Sequence, residues 1–157
     1  MFIVLDVDGT LADNTHRRHL LLGKQAIDWE RFFAPDLVMK DTAVPGAVSG
    51  VARLQELKHD ILIITARHEA LRDTTMRWLL ENFELDLPDS HLLMRPQGNM
   101  LKAAEYKREQ LINFKQGLEN RDTGFIVIDD DKEVSATMRT LAIVLKAPEC
   151  WDILFPL

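Results

Sequence analysis

The sequence contains a single cysteine, Cys150, so no internal disulfide can form. That fits a reducing, cytoplasmic setting, with Cys150 as a small buried hydrophobe. No apolar run approaches the length of a membrane span. The first strand begins next to residue 1, which leaves no room for a signal peptide. Basic residues are outnumbered, 19 Lys and Arg against 25 Asp and Glu, for a net charge of −6. This disfavours an extended nucleic-acid-binding face, which needs basic surface, and none is expected. It still permits a local basic pocket for one phosphate. His59, His68 and His91 are scattered and carry no metal spacing. Internal repeats, low-complexity stretches and a GxxxxGK[ST] phosphate loop are all missing.

What is present suits one domain over residues 1–157, with 46% hydrophobic residues to build its core. Phe2 to Leu5 read as a buried strand, followed at once by Asp6, Asp8, Gly9 and Thr10. Residues 13–44 are polar and irregular, and read as a small cap-like insertion after strand one. Asp13-Asn14-Thr15 can cap a short helix holding His16, Arg17, Arg18 and His19, ended by Gly23. Trp29, Phe32 and Phe33 line a second helical turn that Pro35 is expected to stop. Pro45 suits a first helical position, and Val48, Val51, Leu54 and Leu57 recur at helical spacing. Ile61 to Ile64 form a second buried strand ending at Thr65. A helix follows from His68 to Phe83 with Leu71, Trp78, Leu79 and Phe83 as its stripe. Leu92 to Met94 make a weaker strand, 100–115 a helix, Phe125 to Ile128 a strand and Ala142 to Leu145 the last. Val134 to Leu141 suggest a helix, and the apolar tail from Pro148 packs down.

Strands alternating with helices imply a Rossmann-like α/β fold. Its sheet should be parallel, with about five strands and helices on both faces. Ligands in such sheets sit beyond the carboxyl ends of the strands. Three predicted strands end in chemically active residues: Asp6 and Asp8, then Thr65, then Asp129 and Asp130. Two aspartates this close repel unless a cation or shared proton holds them. Four carboxylates make a hard oxygen site that suits Mg2+. A metal, a hydroxyl and a lysine together suit phosphoryl transfer, and a carboxylate can attack phosphorus. An EF-hand is excluded, since its glycine belongs at position six of the loop and Gly9 is at position four.

The stretch FIVLDVDGTLA resembles the first signature of the haloacid dehalogenase superfamily in its phosphatase form. Thr65 in IITAR, Lys107 in EYKRE and IVIDDD match the remaining signatures in order. The resemblance implies Asp6 as nucleophile and Asp8 as general acid and base. Thr65 and backbone amides near Ala66 would hold phosphate oxygens with Gly9 and Thr10, and Lys107 would neutralise the phosphoryl group. Asp6, the Asp8 carbonyl, Asp129 and Asp130 would hold magnesium, with Asp130 the direct ligand. More narrowly, the chain is similar to the phosphatase domain of phage polynucleotide kinase. Arg95, Gly98 and Lys107 keep that family's spacing, whereas Asn99, Leu101 and Ala103 depart from its acid, arginine and acid. The implied substrate is a small phosphorylated molecule, a nucleotide or a polynucleotide 3′-phosphate. Arg17, Arg67 and Arg95 are candidate substrate contacts.

Other readings stand beside these. Lys102 rivals Lys107, and Asp131 reads as a helix start. The run from His16 to His19 reads equally as an exposed helix face. Trp29, Phe32 and Phe33 could stack a base or be core. A small-metabolite phosphatase, a phosphotransferase and a non-catalytic phosphate-binding module are the alternative functions.

Overall fold

The computed structural model describes residues 1–22, 27–120 and 122–154. The expected stop at Gly23 and the last residues of the tail therefore lie outside the described residues. Five strands form one parallel sheet: β1 (Phe2–Leu5), β4 (Asp60–His68), β5 (Leu92–Arg95), β6 (Phe125–Asp129) and β7 (Ile143–Lys146). Their order is β5-β4-β1-β6-β7. β1 is central, with Ile3 beside both Ile61 and Ile126. Both its faces are covered, which is why it reads as an unbroken apolar run rather than an alternating one. Ile3 and Leu5 join the core on one side, with Ile61 and Ile63. Phe2 and Val4 join the other, with Leu62, Ile64 and Val127.

Helices α3 (Ala47–Glu56), α4 (Arg72–Phe83) and α7 (Glu149–Leu154) cover the first face. They supply Val51, Leu54, Trp78, Leu79 and Trp151 to its core. Helices α5 (Ala103–Gly117) and α6 (Lys132–Met138) cover the second with Ala104, Leu111, Val134 and Met138. The expected parallel α/β sheet with helices on both faces is therefore the fold. The chain moves outward from β1 through β4 to β5, then returns to β6 and β7 on the other side. The strand order thus reverses between β1 and β6, where a crevice opens at the carboxyl ends.

Several boundaries differ from the sequence expectations. β4 runs on past Thr65 to His68, with its register against β5 shifting between those residues. The following turn is 3-10 over Glu69–Leu71, and α4 starts only at Arg72. Pro35 does not stop helical structure: it opens α2 (Pro35–Val38), right after α1 (Trp29–Phe32). Proline at N1 loses no hydrogen bond, because that amide has no intrahelical partner. Pro45 lies two residues ahead of α3, whose N-cap is Gly46 at φ 79°. A Cβ on Gly46 would sit 3.0 Å from the Trp151 Cβ. Val48 and Leu57 of the expected apolar stripe are exposed, while Ala47 and Gly50 are buried in their place.

Residues 13–44 leave and re-enter the domain through a short antiparallel pair, β2 (Ala12–Asp13) with β3 (Thr42–Ala43). Between them come a 3-10 helix over Thr15–Leu21, then α1 and α2. Phe32 and Val38 are buried under this segment. Arg17, within it, is fully buried, which no apolar pattern would suggest.

Candidate active site

The site grows from the end of β1. The Asp6 amide still donates to the Ile128 carbonyl of β6 at 3.1 Å, so Asp6 is held in sheet register. The chain then turns sharply: the Val7 carbonyl accepts from the amides of Leu11 and Ala12 at 2.9 and 2.8 Å. Gly9 makes this turn possible at φ 86°. A Cβ there would also run into the Asp130 carboxylate. Only glycine combines that backbone with that close approach.

Lys107 of α5 reaches the turn from below the sheet. Its Nζ lies 2.8 Å from Asp6 Oδ1 and donates to Asp129 Oδ2 at 2.7 Å. All three side chains are buried. Lys102, the rival lysine, is exposed at the N-cap of α5. Burial pushes the Asp6 carboxyl up to about 8; Lys107 opposes that and Asp129 adds to it. Asp6 and Asp129 keep Lys107 protonated despite its burial. Burial and the nearby Asp129 also raise the Asp130 carboxyl. Asp6, Asp129 and Asp130 each offer an oxygen within 4.8 Å of the others. Three carboxylates converge on one ammonium, so two of them are pushed toward their neutral forms in the metal-free site, and the all-oxygen donor set fits a hard divalent cation that would favour their ionised forms. Asp131 is taken up at the N-cap of α6, accepting from the amides of Glu133 and Val134.

Asp8 has a different environment. Arg67 donates to both its oxygens, Nε to Oδ2 at 2.8 Å and Nη2 to Oδ1 at 2.9 Å. Arg17 Nη2 adds a bond at 2.8 Å and Asn14 Nδ2 one at 3.2 Å. Burial alone would raise the Asp8 carboxyl, but the Arg67 and Arg17 guanidiniums overcome it and hold it well below the usual range. The two Asp side chains of one turn are thus driven in opposite directions. The Asp8 carboxylate stands outside the three-carboxylate cluster.

Asp41 is the residue that sequence reasoning missed. It accepts from Arg17 Nε at 2.8 Å, Arg17 Nη2 at 2.6 Å and Arg67 Nη2 at 3.0 Å, and it pairs with His16 Nε2 at 2.9 Å. The Trp78 indole donates to its backbone carbonyl at 2.8 Å, tying it to α4. Nothing local marks Asp41, because its partners lie 24 and 26 residues away. Two fully buried arginines are the only hint, since buried cations need carboxylates.

Thr65 is buried at the bend of β4, and its Oγ1 accepts from the Arg67 amide at 3.2 Å. Ala66 is half-buried beside it. The Thr10 hydroxyl is buried without a hydrogen-bond partner, while its carbonyl accepts from the Trp151 indole at 3.1 Å. Arg95 is engaged locally: it donates to the Leu101 carbonyl at 2.6 Å and lies 5.1 Å over the Tyr106 ring. Its guanidinium braces the loop before α5. The stretch from His16 to His19 is not one exposed face, since Arg17 is fully buried while Arg18 bonds Asn14 Oδ1.

Two open cavities flank these strand ends. One of about 480 Å³ is lined by Gly9, Asp130, Arg18 and Lys146 among others. The second, of about 840 Å³, is lined by Glu30, His68, Glu69, Ala70, Pro96 and Gln97. No helix among the described residues is long and apolar enough to cross a membrane.

Known proteins supply the context for this geometry. The family profile described as the polynucleotide kinase PNKP phosphatase domain matches residues 1–152. No curated protein matches the chain. Among solved structures, a chain of the Pnkp1/Rnl/Hen1 RNA repair complex superposes with a TM-score of 0.67 at 19% identity. That match covers 92% of this chain and 41% of the other. A haloacid dehalogenase-like hydrolase from Streptococcus pneumoniae gives 0.63 at 14% identity, covering 92% and 83%. The class C acid phosphatase from Bacillus anthracis gives 0.59 at 19% identity, covering 84% and 52%. The chain spans less than half the length of the repair-complex chains it matches. At these identities the structural likenesses speak for the fold, and the family match carries the activity. The chain belongs to the PNKP phosphatase domain family of the haloacid dehalogenase superfamily, and it is a phosphoric monoester hydrolase.

Proposed function

We propose that this domain hydrolyses a nucleotide or polynucleotide 3′-phosphate, with magnesium, through a phosphorylated Asp6. The observation that carries the mechanism is the Lys107 ammonium between Asp6 and Asp129, beside an Asp8 in an opposite electrostatic setting. Asp6 acts as the carboxylate, ionised by Lys107 together with the cation that the three carboxylates would hold; its Oδ attacks phosphorus and the bond to the leaving oxygen breaks, giving an aspartyl-phosphate. Asp8, ionised in the free site, takes up a proton as the ester binds as its monoanion, and delivers it to that leaving alkoxide. It then takes one from the water that attacks phosphorus, and inorganic phosphate leaves as Asp6 is regenerated. Proton delivery requires Arg67 and Arg17 to loosen their hold on Asp8 when substrate enters. Their charges are then available to the incoming phosphate. Lys107 neutralises Asp6 and the phosphoryl oxygens, and Thr65 with the amides near Ala66 positions them.

Magnesium would be held by Asp6, Asp129, Asp130 and the Asp8 carbonyl, and would supply charge neutralisation at the phosphoryl group. The substrate class follows the family, and the acidic chain suits a short nucleotide end better than a long duplex. A cytoplasmic location belongs to the same reading. Magnesium-dependent phosphate release from an aryl phosphate tests the mechanism, because Asp6→Asn should abolish it. A parallel screen of 3′-phosphorylated oligonucleotides, mononucleotides and sugar phosphates tests the substrate class. A preference for sugar phosphates would overturn it.

A further inference from the structure

Beyond Asp8, a continuous run of aromatic contacts leads out to the surface. Arg17, which bonds Asp8, has its guanidinium 4.2 Å from the Phe32 ring and 5.8 Å from the Phe33 ring. Trp29 lies almost parallel to Phe33, at 12° between planes and 6.1 Å between centroids, and edge-on to Phe32. Phe33 in turn meets His68 edge-on at 6.2 Å. His68 and Glu30 both line the cavity of about 840 Å³.

Phe32 is buried, as a core aromatic should be, yet its neighbour Trp29 remains 55% exposed. The other two tryptophans, Trp78 and Trp151, are both 0% exposed. The Trp29 indole thus runs nearly parallel to the Phe33 ring while more than half of its surface stays open to solvent. The cavity lined by its sequence neighbour Glu30 and by His68 has, among the described residues, no lysine or arginine in its wall but Glu30 and Glu69, the latter paired with Arg72. A second phosphate would be repelled there. An uncharged, flat, hydrogen-bonding group would not.

We propose that Trp29, backed by the Phe33 ring that His68 also meets, stacks the nucleobase attached to the scissile phosphate. This rests on the nucleotide reading above and adds a specificity-determining residue to it. Stacking on an aromatic is tolerant of base identity, so purine and pyrimidine nucleotides should both be accepted.

The experiment uses two readouts on the whole chain. The first is the ratio of kcat/KM for a nucleoside 3′-monophosphate to that for ribose phosphate. Trp29→Ala should lower this ratio about tenfold, chiefly through KM, and Trp29→Phe should largely retain it. The second is tryptophan emission in Asp6→Asn protein, which cannot turn over. Adenosine 3′-monophosphate should quench the exposed Trp29, and the quench should vanish when Trp29→Phe is added. If the wild-type ratio does not favour the nucleotide, the substrate reading fails and the stacking role falls with it. If the ratio favours the nucleotide but Trp29→Ala leaves it unchanged, or no Trp29-dependent quench occurs, the stacking role alone is overturned.

Discussion

Arg67 grips both carboxylate oxygens of Asp8, at 2.8 and 2.9 Å, across 59 residues of sequence. The fork geometry matters as much as the charge, since lysine cannot reproduce a bidentate bond. Arg67→Lys should therefore lower phosphatase activity by roughly a hundredfold. Arg67→Ala should also destabilise the fold, by about 3–5 kcal/mol, because Asp8 and Asp41 would lose one of the two cations they share. Steady-state kinetics and thermal melts of the two variants separate these effects. A fully active lysine variant would remove Arg67 from the site chemistry.

Asp6 makes the metal-free protein sensitive to alkali. Its carboxyl is raised to about 8 in the fold, above the ordinary carboxylate value of 3.8. A raised group contributes stability below its unfolded pKa and loses it as pH climbs through the folded one. The melting temperature of metal-free protein should thus fall between about pH 4 and pH 8, and Asp6→Asn should flatten the fall. Magnesium should restore stability at the alkaline end. Melts across that range with chelator and with magnesium make the comparison, and equal slopes for wild type and variant would contradict it.

Asp8 should behave in the opposite sense. Its carboxyl is depressed by Arg67 and Arg17, so its stabilising contribution is present above the ordinary carboxylate range and fades as pH falls. Asp8→Asn should make acid unfolding less steep below about pH 4. On turnover, the same variant should slow esters with poor leaving groups far more than aryl phosphates. A leaving-group series checks this: a uniform loss across it would mean that Asp8 is not the proton donor.

Asp41 touches no reacting atom, yet it accepts bonds from Arg17 and Arg67 and so places both against Asp8. Asp41→Ala should cost about 3–5 kcal/mol by leaving two buried guanidiniums undercompensated. Asp41→Asn should retain more of the fold while shifting the pH dependence of kcat, because the arginines would then bear harder on Asp8. An unchanged pH profile in a folded Asp41→Asn protein would reduce Asp41 to a packing element.

Asp130 belongs to the three-carboxylate cluster and, unlike Asp129, makes no bond to Lys107. Asp130→Asn should raise the magnesium concentration needed for half-maximal activity by about 10- to 100-fold. A magnesium titration of activity reads this directly. An unaltered requirement would move the ion away from Asp130.

Much of this architecture was legible in local sequence. The four-residue run Phe2 to Leu5, the turn glycine, and the Thr65 and Asp129–Asp130 ends of two other segments all act over a few residues, where periodicity and backbone sterics decide. Element ends were less legible. β4 continues past Thr65 and carries Arg67 to where it bonds Asp8, a tertiary contact that propensity does not encode. Arg95 kept a family spacing and yet turns to the Leu101 carbonyl, since a spacing constrains the backbone and not the direction of a long side chain.

The sequence alone determined that carboxylates and a hydroxyl would meet at the carboxyl edge of a parallel sheet; the lysine came from the family resemblance. Strand alternation and the right-handed crossover leave little other choice. Only the tertiary structure decided how the two aspartates of one turn differ. Asp6 and Asp8 are chemically identical and two residues apart, but burial beside Asp129 raises one while two distant arginines depress the other. Those arginines, and the Asp41 that steadies them, come together only when the chain closes. Electrostatic environment depends on distance in space, and sequence separation does not report it.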